Sequence, residues 1–350
     1  MSHILPILNC PNLQASLNTV NATRNYPKES LPFLQFLPSD VNSSRVLEQN
    51  VAPGSGKVRT VELVYSQRYG EAAVGTTLTT NCDSSNEEGR LSKTYQIDTT
   101  AGVEINRSFD FANLALMCQN NQDYIAEIVQ SMLDVLSRKM ESQVTAQVAT
   151  LIGKFASDGD TNLSQTNTLK TIATKDSSGK FTEDAIQEIV YSCRNSGFQY
   201  TPFIFGYGDI WKYMQKTKSV CCTNAGIDLA QFMAENQAMF MESFRVPTAL
   251  GDAAQFLAVD PGSLFLLQFN KFETGSGLDI QTQPFTMGII VDPKTGISYN
   301  YKAYLACGGE KLSVYISTAF KVVGLPNDLY NAGDRLYGTN GVLKFQVTNP

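Results

Sequence analysis

The sequence has very little histidine: among its 350 residues the only one is His3. A Ser–His–Asp triad, a Cys–His pair and most zinc sites need a histidine at a structured position. The carboxylate pairs Glu87–Glu88 and Asp158–Asp160 lie in polar stretches typical of solvated loops. We therefore predict a protein that is not an enzyme, with no catalytic, cofactor-binding or metal-ligating residues.

Positive charge is also scarce. Lysine and arginine total 27 against 33 aspartate and glutamate residues, which gives a net charge of −6. The sequence contains no cluster of basic residues of the kind that neutralises phosphate groups. Proteins that bind nucleic acid through a dedicated domain usually carry a basic stripe, so we predict no sequence-specific contact with DNA or RNA.

Long hydrophobic runs and paired cysteine motifs are missing as well. No apolar run reaches the roughly 18 residues of a transmembrane helix, so we predict no membrane partner. The first residues, "MSHILPILNCPNLQ", lack the basic segment of a secretory signal. The seven cysteines include no CxxC pair. We interpret them as reduced thiols packed as small hydrophobes, although the adjacent Cys221 and Cys222 leave a vicinal redox pair as an alternative.

Residues 1–57 form a proline-punctuated segment that we interpret as an irregular N-terminal arm. Within it, "LPFLQFLPSD" is too apolar to remain in water. An arm without a core of its own must lie on another surface, in the same subunit or in a neighbouring one. The residues predicted to make this contact are Leu31, Phe33, Leu34, Phe36 and Leu37.

Residues 58–108 carry the period-two pattern of β-strands. The stretch "VRTVELVYSQRY" alternates, "RLSKTYQI" and "GVEINRSFDF" follow, and the polar "TTNCDSSNEEG" lies between. This pattern predicts a long hairpin with its tip near residues 83–89. A two-stranded ribbon is at best marginally stable alone in water, so this hairpin needs a supporting surface.

Residues 123–155 predict one long helix, because they contain no proline and their only glycine is Gly153. Such a helix would be about 50 Å long. Its apolar stripe is broad at first, but from Leu136 to Val148 apolar residues recur only every fourth position. The stripe therefore turns around the helix, and its two ends should rest on different surfaces.

The remaining sequence predicts two further regions. Residues 182–270 mix helix and strand patterns, with a helix at "EDAIQEIVYSCRNS", a strand at "PFIFG" and a second helix at "GIDLAQFMAENQAMFMESF". This order favours a compact α+β lobe. Within residues 271–350, the stretch "GIIV-DPKTG-ISYNYKAYLA-CGGEK-LSVYISTAFKVV" alternates as a β meander, in which "DPKTG" and "CGGEK" have the composition of turns. "DPKTG" loosely resembles the phosphorylated loop of ion-pumping ATPases, but its flanking strands favour the turn.

This order of elements resembles the major capsid protein of tailed bacteriophages, the Hong-Kong-97-type shell fold. The most similar local stretches are "PFIFGYGDIWKYMQ", "DPGSLFLLQF" and "YISTAFKVVGLPNDLY". The resemblance implies an α+β fold with five segments. These are an N-terminal arm (1–57), an extended β-hairpin loop (58–108), a segment holding the spine helix of the peripheral domain and a linker (109–181), an axial α/β lobe (182–270), and peripheral β strands with the C-terminal segment (271–350).

The resemblance also implies a function. Such a chain would self-assemble as hexamers and pentamers into an icosahedral shell, a virion capsid assembled in the host cytoplasm. The shell encloses the viral DNA without sequence-specific binding, and needs no cofactor. A portal, a separate scaffold, and cement or decoration proteins are the implied partners. At the hairpin, Asp83, Glu87 and Glu88, with Arg90 and Lys93 nearby, are expected to contact the next subunit.

Three alternatives remain open from the sequence. An encapsulin-like compartment shares the same shell fold, whereas a phage tail or baseplate protein would also explain an exposed arm and hairpin. An enzyme of unknown type is the third. The size of the purified assembly separates these classes.

Overall fold

The computed structural model describes residues 10–23, 30–39, 46–52, 58–68, 90–110, 124–156, 167–175, 184–213, 237–270, 275–278, 284–306, 310–330 and 334–348. Helices α1 to α5 are Cys10–Thr23, Pro32–Ser39, Tyr124–Ala149, Asp184–Asn195 and Arg245–Leu250. Strands β1 to β7 are Val46–Ala52, Val58–Ser66, Arg90–Asp98, Gly102–Asp110, Leu169–Ala173, Phe203–Gly206 and Met239–Glu242. Strands β8 to β14 are Gln255–Val259, Leu264–Phe269, Gly275–Leu278, Pro284–Val291, Ser298–Ala306, Lys311–Gly324 and Val342–Thr348. The fold class is α+β, as predicted.

One sheet is antiparallel, with strand order β10-β11-β12-β13-β4, and we call it the peripheral sheet. Strand β9 pairs with the C-terminal end of β13, at residues 319–324. The predicted meander is confirmed, since Ile290 pairs with Tyr299 and Ala303 pairs with Val314. Strict alternation places one set of side chains on a single face, where all are buried. That set is Ile290, Tyr299, Tyr301, Ala303, Leu305, Leu312, Val314 and Ile316.

Helix α3 packs on this buried face with residues such as Val129, Leu133, Met140 and Val144, all of which join the main core. Its 26 residues span about 39 Å, which is shorter than predicted. The helix ends early because the chain beyond Ala149 bonds elsewhere: the Gly153 N–H donates to the Val342 carbonyl oxygen at 2.8 Å. A side chain at Gly153 would collide with Asn340.

The thinning of the apolar stripe on α3 has a structural reason. Ser137, Glu141 and Thr145 lie on the same side as the apolar residues and are buried with them. Ser137 bonds to the turn that follows β11, and Glu141 bonds to α2. The two ends of the helix therefore do rest on different neighbours, but the contacts in the second half are partly polar.

The lobe contains a five-stranded mixed sheet, with strand order β5-β14-β8-β6-β7. Strand β14 is parallel to β5 and antiparallel to β8, so a segment late in the chain completes a sheet begun about 170 residues earlier. Helix α4 was predicted at this place and is confirmed. It packs Ile186, Ile189 and Cys193 against Phe256 and Phe345 of the sheet.

The prediction of a second helix in the lobe is wrong for residues 237–244, the part of it that the structure describes. Residues Met239–Glu242 form β7, which pairs in parallel with β6. Gln237, just before this strand, has a φ of 53°, a left-handed conformation incompatible with a continuing helix. The pairing with β6 satisfies the backbone that a helix would otherwise have bonded internally. Residues 226–236 of the same prediction lie outside the described residues.

The two strands of the predicted hairpin pair antiparallel throughout, from Val58 with Asp98 to Ser66 with Arg90. The ribbon gains a third strand, β1, on its other side. Its supporting surface belongs to its own chain. Val61, Leu63, Tyr65 and Ile97 form a cluster with Leu267, Val323, Leu325 and Leu329.

The arm contains more regular structure than the sequence predicts. Its prolines indicate an irregular segment, yet α1 and α2 are helices. Pro32 occupies the first position of α2, where its missing N–H costs nothing. Leu13, Leu17 and Val20 of α1 join the main core beside α3. Tertiary packing therefore supplies the stability that such short helices lack alone.

Candidate functional site

The five arm residues proposed as contacts, Leu31, Phe33, Leu34, Phe36 and Leu37, are buried within this chain. The sequence predicts that they are buried against the same or an adjacent subunit, and the surface that buries them belongs to the same subunit. Phe33 stacks on Phe205 of β6 with ring centroids 4.2 Å apart. Their burial completes the chain's own core.

A buried carboxylate holds this arm to α3. Glu141 has no exposed surface, and its two oxygens accept the backbone N–H groups of Phe33 at 3.1 Å and Leu34 at 2.9 Å. These donors are at the beginning of α2, where helical N–H groups have no partner within the helix. A carboxylate there also interacts favourably with the helix dipole. Sequence reasoning missed this clamp.

Helix α1 is pinned by a second polar contact. The side-chain amide of Gln14 donates to the Val291 carbonyl oxygen at 2.9 Å and accepts the Val291 N–H at 2.8 Å. The amide therefore makes the same pair of hydrogen bonds that the backbone of a neighbouring strand would make at the end of β11. Together, Gln14 and Glu141 fix α1 onto β11 and α2 onto α3.

The "DPKTG" stretch is a turn, as the sequence predicts, and it contains a buried carboxylate. Asp292 accepts hydrogen bonds from the hydroxyls of Ser137 and Thr295, both at 2.9 Å, and from the Lys294 N–H at 3.0 Å. Ser137 also lies 3.0 Å from the Tyr299 hydroxyl. The carboxylate is fully buried, so the cluster ties the turn to α3 and presents no group to a substrate.

Two buried phenols and one buried thiol have raised pKa values, which favours their neutral forms. Burial raises the pKa of the Tyr299 and Tyr65 phenols and, with Asp260 nearby as a smaller cause, the pKa of the Cys193 thiol. A buried neutral thiol is a poor nucleophile. Cys193 thus behaves as the predicted small hydrophobe, while Cys221 and Cys222 lie outside the described residues.

The described part of the chain holds neither a cluster of metal-ligating side chains nor a helix that could cross a membrane. No group of three or more histidine, cysteine, aspartate or glutamate side chains there could hold a metal ion. Among the helices of that part, none is long and apolar enough to cross a membrane.

The hairpin residues proposed as contacts are only partly described. Arg90 is exposed at the beginning of β3. Lys93 forms an ion pair with Asp328 of the same chain at 2.6 Å, which helps to hold β3 over residues 327–329. Asp83, Glu87 and Glu88 lie outside the described residues. The contact proposed for the hairpin tip therefore stays a prediction.

The structure also exposes an apolar sheet surface that the sequence reasoning did not single out. On the face of the peripheral sheet opposite α3, Ile289 and Val291 are 43% and 37% exposed. Beside them, the Lys302 ammonium lies over the rings of Phe285 and Tyr304, 5.8 and 5.2 Å from their centroids. Period-two alternation on both sides of this sheet is the signal that could have identified it.

Comparison with known proteins gives matches only among solved structures. No protein-family model matches the chain, and no curated protein does. The chain is similar to the capsid of Myoviridae phage XM1, at 12% identity over 93% of this chain and 95% of that chain, with a TM-score of 0.45. It is similar to the mature capsid of bacteriophage PhiM1, at 12% identity over 93% and 90%, with a TM-score of 0.45. A phage-related protein from Bordetella bronchiseptica RB50 matches at 10% identity over 96% and 95%, with a TM-score of 0.43.

Proposed function

We propose that this chain is a major capsid protein that self-assembles into the icosahedral shell around a viral DNA genome. The observation that carries the proposal is the order of its parts. An arm comes first, then a long hairpin, a 26-residue helix, a lobe with its own sheet, and an antiparallel meander. This is the order through which the sequence resembles the Hong-Kong-97-type shell fold.

The way these parts pack also suits a shell subunit. The long helix braces one face of a broad antiparallel sheet, while the other face exposes Ile289 and Val291 beside the half-buried rings of Phe285 and Tyr304. The described base of the hairpin rests on its own chain. Exposed apolar surface of this kind marks regions that meet another protein.

The finer details of the proposal concern partners. Hexamers and pentamers would form the shell, a portal and a separate scaffold would direct assembly in the host cytoplasm, and cement proteins would bind outside. The chain would enclose DNA without reading its sequence, in keeping with its net charge of −6. Its role would be structural rather than enzymatic. The acidic residues of the hairpin tip would contact the next subunit.

Electron microscopy of the purified chain, alone and co-expressed with the scaffold and portal of the same virus, tests the proposal. We expect closed icosahedral shells. Tubes or rings would indicate a tail or baseplate protein instead, and shells that enclose a cellular protein would indicate a compartment. A chain that stays monomeric at high concentration with both partners present would refute the proposal.

A further inference from the structure

Helix α2 lies between the two halves of the subunit. Residues 31–37, which we call the arm wedge, are buried apart from Gln35. Their neighbours belong to the long helix α3 on one side and to the lobe strand β6 on the other. The arm wedge thus contacts both the element that braces the peripheral sheet and the sheet of the lobe.

The contact with α3 is electrostatic and directional. The Glu141 carboxylate accepts the first two free N–H groups of α2 at 3.1 and 2.9 Å in a fully buried position. Without these bonds the two N–H groups would be unpaired at the beginning of the helix. The bonds also require the two donors to point at the carboxylate, so they fix the orientation of α2 on α3.

The contact with the lobe is aromatic. Phe33 stacks on Phe205 with an angle of 8° between the rings, and Phe36 meets Phe205 edge-on at 5.3 Å and Phe203 at 4.8 Å. Aromatic pairs with these separations are stabilising beyond the area they bury. The Ser30 hydroxyl adds a bond to the Glu242 carbonyl oxygen of β7, at 2.8 Å.

We propose that the arm wedge is a coupling element that sets the angle between the lobe and the long helix, and thereby the curvature of the assembled shell. The second part of this inference rests on the proposed function. The wedge is held by the Glu141 carboxylate on the α3 side and by its stacked and edge-on rings on the lobe side, so a change on either side releases the lobe from a fixed orientation. Val246 of α5 and Leu257 and Val259 of the lobe strands belong to the same core cluster as α3, so the two halves stay in contact when the wedge is released.

The test replaces Glu141 by glutamine, which keeps the shape but turns an NH₂ group towards one of the two backbone donors. Glu310→Gln is the matched control, because it makes the same chemical change at an exposed position beside β13. Spin labels on ketone-bearing amino acids, at exposed Val135 of α3 and exposed Tyr191 of α4, report the distance between the halves in the unassembled chain. Amide hydrogen exchange of residues 33–37 reports release of the wedge.

For Glu141→Gln we expect exchange at residues 33–37 to be at least tenfold faster and the distance distribution at least twofold wider, with Glu310→Gln unchanged. Phe33→Leu, which loosens the lobe side, should widen the distribution in the same way. Faster exchange with an unchanged distribution would overturn the coupling role, and so would unchanged exchange. Loss of the whole fold in both Glu141→Gln and Phe33→Leu would also overturn it, because a helix needed for folding is not a separable coupling element.

The shell measurement separates this inference from the proposed function. Wild-type chain and Glu310→Gln should give shells of one diameter, and Glu141→Gln should give mixed diameters or open sheets. If the wild-type chain forms no shell, the proposed function and the curvature role both fail, whereas the distance measurement still decides the coupling. If Glu141→Gln widens the distance distribution but forms normal shells, the curvature role alone is wrong.

Discussion

Asp292 shows how a single buried carboxylate can organise a turn. It accepts two hydroxyl donors and one backbone N–H, and it has no exposed surface. Replacing it with alanine removes the acceptor of these donors. Ser137 keeps its contact with the Tyr299 hydroxyl, whereas each buried group that is left unpaired costs about 1–3 kcal/mol. We expect Asp292→Ala to lower the free energy of unfolding by roughly 3 kcal/mol, measured by urea denaturation of the unassembled chain.

The control for this variant is Glu310→Ala, at an exposed position beside β13. Surface substitutions of this kind usually change stability by less than about 0.5 kcal/mol. If Asp292→Ala is as stable as that control, the cluster around Asp292 contributes nothing to the stability of the fold.

The buried Tyr299 should make the stability of the fold depend on pH in alkaline solution. Burial raises the pKa of Tyr299 above its ordinary value, so the folded chain keeps this proton while the unfolded chain loses it above a pH of about 10. The contribution of Tyr299 is fully present below that pH and is lost as the pH rises towards its folded pKa. We expect the urea midpoint to fall above a pH of about 10, and to fall less steeply for Tyr299→Phe.

Tyr191→Phe is the matched control for the alkaline measurement, because it removes the same hydroxyl from a side chain that is 61% exposed. It should keep the wild-type slope. An equal slope for Tyr299→Phe and wild type would mean that this buried phenol does not contribute to alkaline unfolding.

Some of these residues could be found from sequence, and some could not. The buried set of Tyr299, Tyr301 and Ala303 follows directly from alternation, a local property of the chain. The Glu141 clamp does not, because its partners lie 107 and 108 residues away and are backbone groups of unremarkable residues. A glutamate on the buried side of α3 was the available signal, but no local rule says which N–H groups it bonds.

Strand β14 illustrates the same limit among whole elements. The sequence "VLKFQVT" indicates a strand, and the meander before it suggests the peripheral sheet, but it pairs with β5 and β8 in the lobe. Strand β9 shows the opposite case. It follows the lobe strand β8 closely in the chain, yet it pairs with β13 of the peripheral sheet. Strand pairing depends on long-range packing, so the strand patterns of β9 and β14 could be recognised in the sequence whereas their partners could not.

Deleting residues 342–350 removes β14 from between β5 and β8. We expect the lobe to unfold, since β5 loses its neighbour in the sheet and Phe345 leaves the cluster that holds α4. Amide exchange in β8 and α4 should become at least tenfold faster, while the peripheral sheet keeps more of its protection. A chain lacking only residues 349 and 350 is the control, and protected amides in α4 after the longer deletion would contradict the sheet order.

At the scale of the whole molecule, the proposed contact of the hairpin tip can be tested by charge reversal. Glu87→Lys with Glu88→Lys replaces attraction with repulsion wherever the tip meets basic groups of a neighbour. Each exposed pair is worth only about 0–1 kcal/mol, but the contact repeats at every subunit of a shell. We expect unchanged circular dichroism and impaired assembly, most clearly at low salt, where screening is weakest.

The control for the tip carries the same change in charge elsewhere: Glu242→Lys with Glu310→Lys, both at exposed positions. Normal assembly of the tip variant at low salt would rule out charged contacts there. Equal impairment of both variants would point to net charge rather than to the tip. Loss of the fold would mean that the tip packs within its own subunit.

The position of β14 also has a consequence for biosynthesis. The ribosome makes β14 after every other strand of the lobe sheet, and the 82 residues between Val259 and Val342 take about 4–16 seconds to translate. Throughout that interval the apolar strand β8 has an unpaired edge, which is a site for aggregation. A nascent chain that stops before residue 342 keeps that edge open. The lobe sheet can therefore be completed only after translation has passed residue 348.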